Sequence, residues 1–182
     1  MADLQSYSAK ICLTASGTLI YQNKILLIKH KKLGLWMCPG GHMESDELPH
    51  QAAEREFWEE TGIKVKALLY GFQPDNPLTE FLPIPISTNL HWVSQENYQR
   101  RLKNPDTFQV ERKWAKGCEQ HYNQNYLVEP MAGVDFSQNL KETDGIDWFS
   151  EAEICDLETS DQIILEIRNA FEKYHHYVTD HS

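Results

Sequence analysis

The sequence predicts a single layered α/β domain. Three observations carry that expectation: strand-like and helical apolar patterns follow one another along the chain, no internal repeat or low-complexity tract breaks them up, and 182 residues suit one hydrophobic core. With 41% hydrophobic, 11% aromatic and 24% charged residues, the composition is that of a chain able to bury a core and not that of a disordered one.

The elements follow in order. Residues 10–30 (KICLTASGTLIYQNKILLIKH) read as two strands joined by a tight turn at Asn23-Lys24. A turn-rich stretch from Leu33 to Asp46 holds Gly34, Pro39, Gly40 and Gly41, and an uninterrupted helical pattern then runs from Glu47 to Thr61. Ser45 or Asp46 is expected to cap this helix, Pro49 to sit in its first turn and Gly62 to stop it. Residues 63–72 look like a further strand. Prolines at 74, 77, 83, 85 and 105 make an insertion over about 73–130 the expectation, with a helix near Gln95 to Lys103. Strand-like runs return at Leu90 to Val93, Tyr122 to Glu129 and Gly145 to Phe149. Two helices are expected to close the chain, the first started by a Ser150/Glu153 capping box, the second capped by Ser160 and apolar at Ile163, Ile164, Ile167, Phe171 and Tyr174.

Composition also sets the partners. A formal charge of −10 turns the whole-molecule field against nucleic acid and anionic lipid, so neither is expected as a partner and a phosphate ligand needs local help. Residues 1–12 lack the pattern of a secretory signal, and no apolar run approaches the ~18 residues of a membrane span, so a cytoplasmic protein is expected. Cys12, Cys38, Cys118 and Cys155 are widely scattered and are expected to be reduced, packed thiols.

The chemistry concentrates on the Glu47 to Thr61 helix. Glu56, Glu59 and Glu60 stand at i, i+3 and i+4 and, at ~100° per residue, share a ~100° arc. Ala52, Ala53 and Phe57 lie in or beside that arc, so the acidic face overlaps the face that packs inward. Clustered carboxylates repel one another, and more so when desolvated, unless a counter-charge is present. A divalent cation supplies one. Pro39-Gly40-Gly41 gives a side-chain-free turn next to it, and hard cations such as Mg²⁺ bridge carboxylates to substrate phosphates. Arg55 is placed to orient a carboxylate through its fork, Glu47 being a candidate.

Gly41, Glu47 and Arg55-Glu56-Phe57-Trp58-Glu59-Glu60-Thr61-Gly62-Ile63 together resemble a complete Nudix box, G-x5-E-x7-R-E-U-x-E-E-x-G-U with U apolar, matched at every specified position. The box spans residues 41–63; Trp36 to Gly41 and Ile146 to Phe149 are also similar to family sequence. The resemblance implies one Nudix domain over residues 1–182, an α/β/α sandwich with a mixed β-sheet. It also implies a hydrolase acting on a nucleoside diphosphate linked to another moiety, with a small-molecule nucleotide as partner. Carried over by position, Glu56, Glu59, Glu60 and the Gly40 carbonyl hold Mg²⁺ or Mn²⁺, while Arg55 and Glu47 steady the box. The general base is a box glutamate or a carboxylate from a distant loop: Glu56 is favoured, Glu142 follows, and Glu119 and Glu129 are further candidates.

Substrate signatures outside the box are not met. The CoA-type pattern, the NADH-type Ser-Gln-Pro-Trp run and the proline and tyrosine of ADP-ribose and diadenosine polyphosphate hydrolases are all missing. A nucleoside triphosphate, a nucleotide sugar and a dinucleotide therefore stay open, as does oligomeric state. The alternatives are a catalytically silent nucleotide-binding or regulatory module and a 5′-end RNA hydrolase. His42 can meet a phosphate or sit as an exposed loop residue; Trp36 is expected under the box. Tyr98, Trp114, Tyr122 and Tyr126 can stack on a base or pack in the core, and Arg100 to Lys103 with Arg112-Lys113 can contact phosphate or form a solvated face.

Overall fold

The computed structural model of the chain describes residues 10–69, 78–103 and 118–180. Strands β1 (Ile11–Tyr21) and β2 (Lys24–His30) form the expected hairpin. Its turn residues Gln22 and Asn23 have φ of 50° and 59°, consecutive left-handed conformations that match the twist of the strands they join. Two short strands, β3 (Trp36–Met37) and β4 (Gly40–His42), lie in the stretch read as turns only, being too short to show a period of two.

Helix α1 (Pro49–Thr61) begins two residues later than expected. Its N-cap is Leu48, not Ser45 or Asp46: the Gln51 side chain turns back to accept the Leu48 N–H at 3.0 Å, while Asp46 takes a left-handed turn with φ of 64°. Gly62, with φ of 74°, ends the helix by donating its N–H to the Trp58 carbonyl at 2.8 Å. Strand β5 (Val65–Ala67) is shorter than the run read at 63–72, whose last residues lie outside the described ones.

The segment read as an insertion enters the sheet at both of its described ends. It supplies β6 (Ser87–Trp92), α2 (Gln95–Lys103) and β7 (Gln120–Pro130). Strand β7 runs parallel to β1 from Ile11↔Gln120 to Leu19↔Val128, and β5 and β6 flank it antiparallel. Strands β4 and β2 pair antiparallel with β1, and β2 continues to β3 and β8 (Thr143–Ser150). The sheet is therefore mixed. The first closing helix is only a 3-10 turn at Glu153–Asp156, with Glu153 bonded back to Ser150 N–H at 2.8 Å; the second is α3 (Asp161–Asp180), whose Ile163 N–H meets Ser160 Oγ.

Alternation along the strands sorts the core into two faces. Ala52, Ala53 and Phe57 of α1 pack with Ala15, Leu19, Leu26, Tyr126 and Val128 on one face. On the other, Ile167 and Phe171 of α3 meet Ile20, Ile25, Leu27 and Ile154. The result is three layers, helix, mixed sheet and helix. Trp36 packs on the α3 side, edge-on to Phe149 at 4.8 Å, and not under the box.

The cysteines correct the sequence reading. Cys12 and Cys118 form a disulfide with Cα atoms 5.9 Å apart, because the parallel register of β1 and β7 brings together residues 106 apart in the chain. Cys38 and Cys155 are free, and burial pushes the Cys38 thiol up to about 12.

Candidate metal and active site

The acidic residues of α1 grade from inside to outside. Glu60 is 3% exposed, Glu56 is half-buried and Glu59 is exposed. They face β4, which β1 holds against α1 through the pairs Thr14↔His42 and Ser16↔Gly40. Gly40 donates its N–H to Glu60 Oε2 at 2.9 Å. The Glu56 carboxylate lies against Gly41 so closely that a Cβ there would collide with it. Both glycines of the box approach are thus required by contact.

Arg55 organises the rest. Its Nε and Nη2 donate to the two oxygens of Glu47 at 2.8 and 3.0 Å, a two-pronged pairing that also ties the residues before α1 to its second turn. Nη1 reaches Glu56 at 2.8 Å and Glu59 at 3.4 Å, and Nη2 also meets the His42 carbonyl at 3.0 Å. The Arg55 hydrogen bonds hold the Glu47 carboxyl below its ordinary range, and the same bonds hold Arg55 firmly protonated.

Three carboxylates, Glu47, Glu56 and Glu59, share this one guanidinium, Glu60 lies beyond its reach, and burial decides how the set responds. Desolvation pushes Glu60 up to about 8 despite the Gly40 bond, with the charges of Glu56, Glu142 and Glu59 adding to it. Desolvation also raises Glu56, partly opposed by Arg55. Such a cluster needs protons or a cation, and an all-oxygen donor set beside a glycine turn fits a hard divalent ion. The residues therefore fit the metal that the box implies.

Glu142 sits on an exposed loop that the bond from Lys31 N–H to its carbonyl, at 2.9 Å, fastens to the end of β2. Its charge is felt by both Glu56 and Glu60, which puts this loop beside the box. Glu119 is not placed for proton transfer: it is buried, paired with Arg101 and accepting the Lys10 N–H at 2.8 Å. Glu129 is exposed on β7 opposite Lys66. Arg101 is thus turned inward; Arg112, Lys113, Trp114 and the Arg100 side chain lie outside the described residues. Tyr126 is core and bonds Gln124, Tyr98 packs on Trp92, and Tyr122 is exposed.

His42 is half-buried on β4 and not a loop residue. Its Nε2 lies 3.2 Å from Cys118 Sγ and its ring stands edge-on to His121, 4.9 Å between centroids. Burial and the neighbouring imidazoles hold His121 down near 4. Sequence reading missed this grouping, since its members come from three strands.

Comparison with known proteins adds the family. The NUDIX domain matches residues 13–167. A MutT-like protein of Streptomyces ambofaciens is 39% identical over 54 residues, 29% of this chain and 35% of that protein. Phosphatase NudJ of Escherichia coli K12 is 45% identical over 47 residues, 25% of this chain and 31% of that one. The chain thus matches about a third of the length of these relatives. In three dimensions it resembles a NUDIX-family hydrolase from Clostridium perfringens, with a TM-score of 0.61 at 20% identity, covering 89% of this chain and 97% of that one. Among the described residues no helix is long and apolar enough to cross a membrane.

Proposed function

The chain belongs to the NUDIX hydrolase family, and from that premise we propose that it hydrolyses a pyrophosphate linkage in a nucleoside diphosphate joined to another moiety. The observation that carries this reading is the graded set of Glu60, Glu56 and Glu59 against the Gly40-Gly41 turn, with Arg55 and Glu47 fixing its geometry. A pure binding module has no need to bury carboxylates in this arrangement.

In this reading Glu56, Glu59 and Glu60, with the Gly40 carbonyl, would hold Mg²⁺ or Mn²⁺. Bound there, the cation offsets the negative field, polarises a phosphoryl oxygen and acidifies a water. Arg55 keeps Glu56 and Glu59 in place and is itself fixed by Glu47, so the set is preorganised before substrate arrives. Glu56 takes the proton of the attacking water, being held toward the ion by Arg55 Nη1 and the Gly41 turn. Glu142 lies beside it and shapes the field over the substrate phosphates.

The test is to incubate the protein with Mg²⁺ and nucleoside triphosphates, nucleotide sugars, ADP-ribose and dinucleoside polyphosphates, beside Glu60→Gln, and to separate the products. Turnover of one class by the wild type alone is expected and names the leaving group. Silence across the panel with metal bound would favour the regulatory module. Glu142→Gln is expected to keep turnover within about tenfold of wild type; its complete loss there, with Glu56→Gln active, would move the base to the loop.

A further inference from the structure

Beyond the box, β1, β4 and β7 carry a second cluster of donors whose chemistry is different. Cys12 lies in register with His121 across the parallel β1–β7 pairing, and His121 faces His91 across β7 and β6. His42 pairs with Thr14, two residues along β1 from Cys12, so all these side chains stand on one face of the sheet. It is the face opposite α1, since Ala15 and Leu19 point to that helix. Cys118 joins them from just before β7.

The Cys12, Cys118 and His42 ligand atoms all lie within 4.8 Å of one another. Donors around tetrahedral Zn²⁺, at ~2.3 Å for sulfur and ~2.0 Å for nitrogen, are themselves ~3.3–3.8 Å apart, and the 3.2 Å between His42 Nε2 and Cys118 Sγ is already close to that spacing. A disulfide accounts for the two sulfurs. It does not account for an imidazole nitrogen turned onto them, with a second imidazole edge-on behind it. Two thiolates and an imidazole are the soft and borderline donors that select Zn²⁺ over Mg²⁺. Cys12 and His42 also line a surface pocket with Leu13, Met43 and Glu44, which gives an ion a way in and leaves room for a fourth ligand from solvent.

We propose that, when Cys12 and Cys118 are reduced, Cys12, Cys118 and His42 form a Zn²⁺ site on the face of the sheet opposite the box helix. Both thiols lose their protons on binding the ion, and the disulfide is the form in which the site is closed. The ion clamps the start of β1 and the entry to β7 onto β4. Because the His42 carbonyl accepts from Arg55 Nη2, the clamp holds the strand that carries Gly40 and Gly41 into the box. The site does not depend on the proposed hydrolysis.

The experiment uses the full chain reduced with a phosphine, which takes the disulfide and one water to two thiols and a phosphine oxide. After removal of reductant, Co²⁺ is added as the probe and Zn²⁺ as its competitor. One equivalent of Co²⁺ with a thiolate-to-metal charge-transfer band is expected, displaced by Zn²⁺. The band is expected to vanish in Cys12→Ser, to weaken at least about tenfold in affinity in His42→Ala and to survive in Cys155→Ser and Glu60→Gln. Carboxylate-bound Co²⁺ gives no such band, which separates this site from the box. Should the variants misfold, alkylation of the reduced wild type serves instead: Zn²⁺ is expected to slow labelling of Cys12 and Cys118 at least about tenfold and leave exposed Cys155 unchanged. Absence of the band in the reduced wild type, its persistence in Cys12→Ser, or equal labelling with and without Zn²⁺ overturns the proposal.

Discussion

Two donor clusters meet at β4 from opposite sides of one sheet. On the α1 side, Glu56, Glu59 and Glu60 offer only oxygen, from a single helix face, tuned by burial and by Arg55. On the other side, Cys12, Cys118 and His42 offer sulfur and nitrogen, each from a different chain segment. In the proposed function the first takes a hard ion that exchanges ligands with phosphate, and its outer member, Glu59, is exposed. The second selects a borderline ion held in place, and its members are braced by strand register. A glycine-bearing strand three residues long serves both, with Gly40 and Gly41 turned to one cluster and His42 to the other.

That division can be broken from either side. The largest effect is expected from Glu56→Gln, which removes a ligand charge and the proposed base together: turnover should fall by on the order of 10²- to 10³-fold with melting temperature little changed, as steady-state assays and thermal unfolding will show. Arg55→Lys keeps the charge but loses the fork to Glu47 and the bond to His42. It should weaken divalent-ion affinity about 10- to 100-fold in a calorimetric titration, because the carboxylates lose their orienting partner. A smaller effect comes from pH. Without metal, folded Glu60 holds its proton up to about 8 against an ordinary 4.5, so the stability tied to that proton is present below about pH 4.5 and lost as pH rises toward about 8. In chelator the melting temperature should fall by about 5 °C or more over this window, and Mg²⁺ should remove most of the fall. A flat profile in chelator would mean that Glu60 is not the desolvated member of the set.

The two clusters also differ in how far the sequence displayed them. Glu47, Arg55 and the three glutamates fall within 14 residues on one helix and its approach, so helical spacing alone exposed an acidic arc overlapping a buried one. Burial of Ala52, Ala53, Phe57 and Glu60 follows that arc. The hairpin and the Ser160-capped α3 were equally plain, being long and periodic, whereas the nine-residue α2 was expected only within the segment read as an insertion. What stayed hidden depends on long-range pairing. Cys12 and Cys118 meet only because β7 is the parallel neighbour of β1, and proline-rich flanks made the segment containing β7 look like an insertion. The N-cap at Leu48 was hidden too, since its partner is the Gln51 side chain and not a capping hydroxyl or carboxylate of its own.

The most direct test of the oxygen site is a titration of the protein with Mn²⁺, followed by the loss of the free-ion paramagnetic resonance signal, for wild type and Glu60→Gln. Mn²⁺ suits carboxylates and not thiolates, so it reads the box alone. The account expects tight, saturable binding by the wild type and at least about tenfold weaker binding by Glu60→Gln. Equal binding by both would contradict the claim that the buried glutamates of α1 hold the ion.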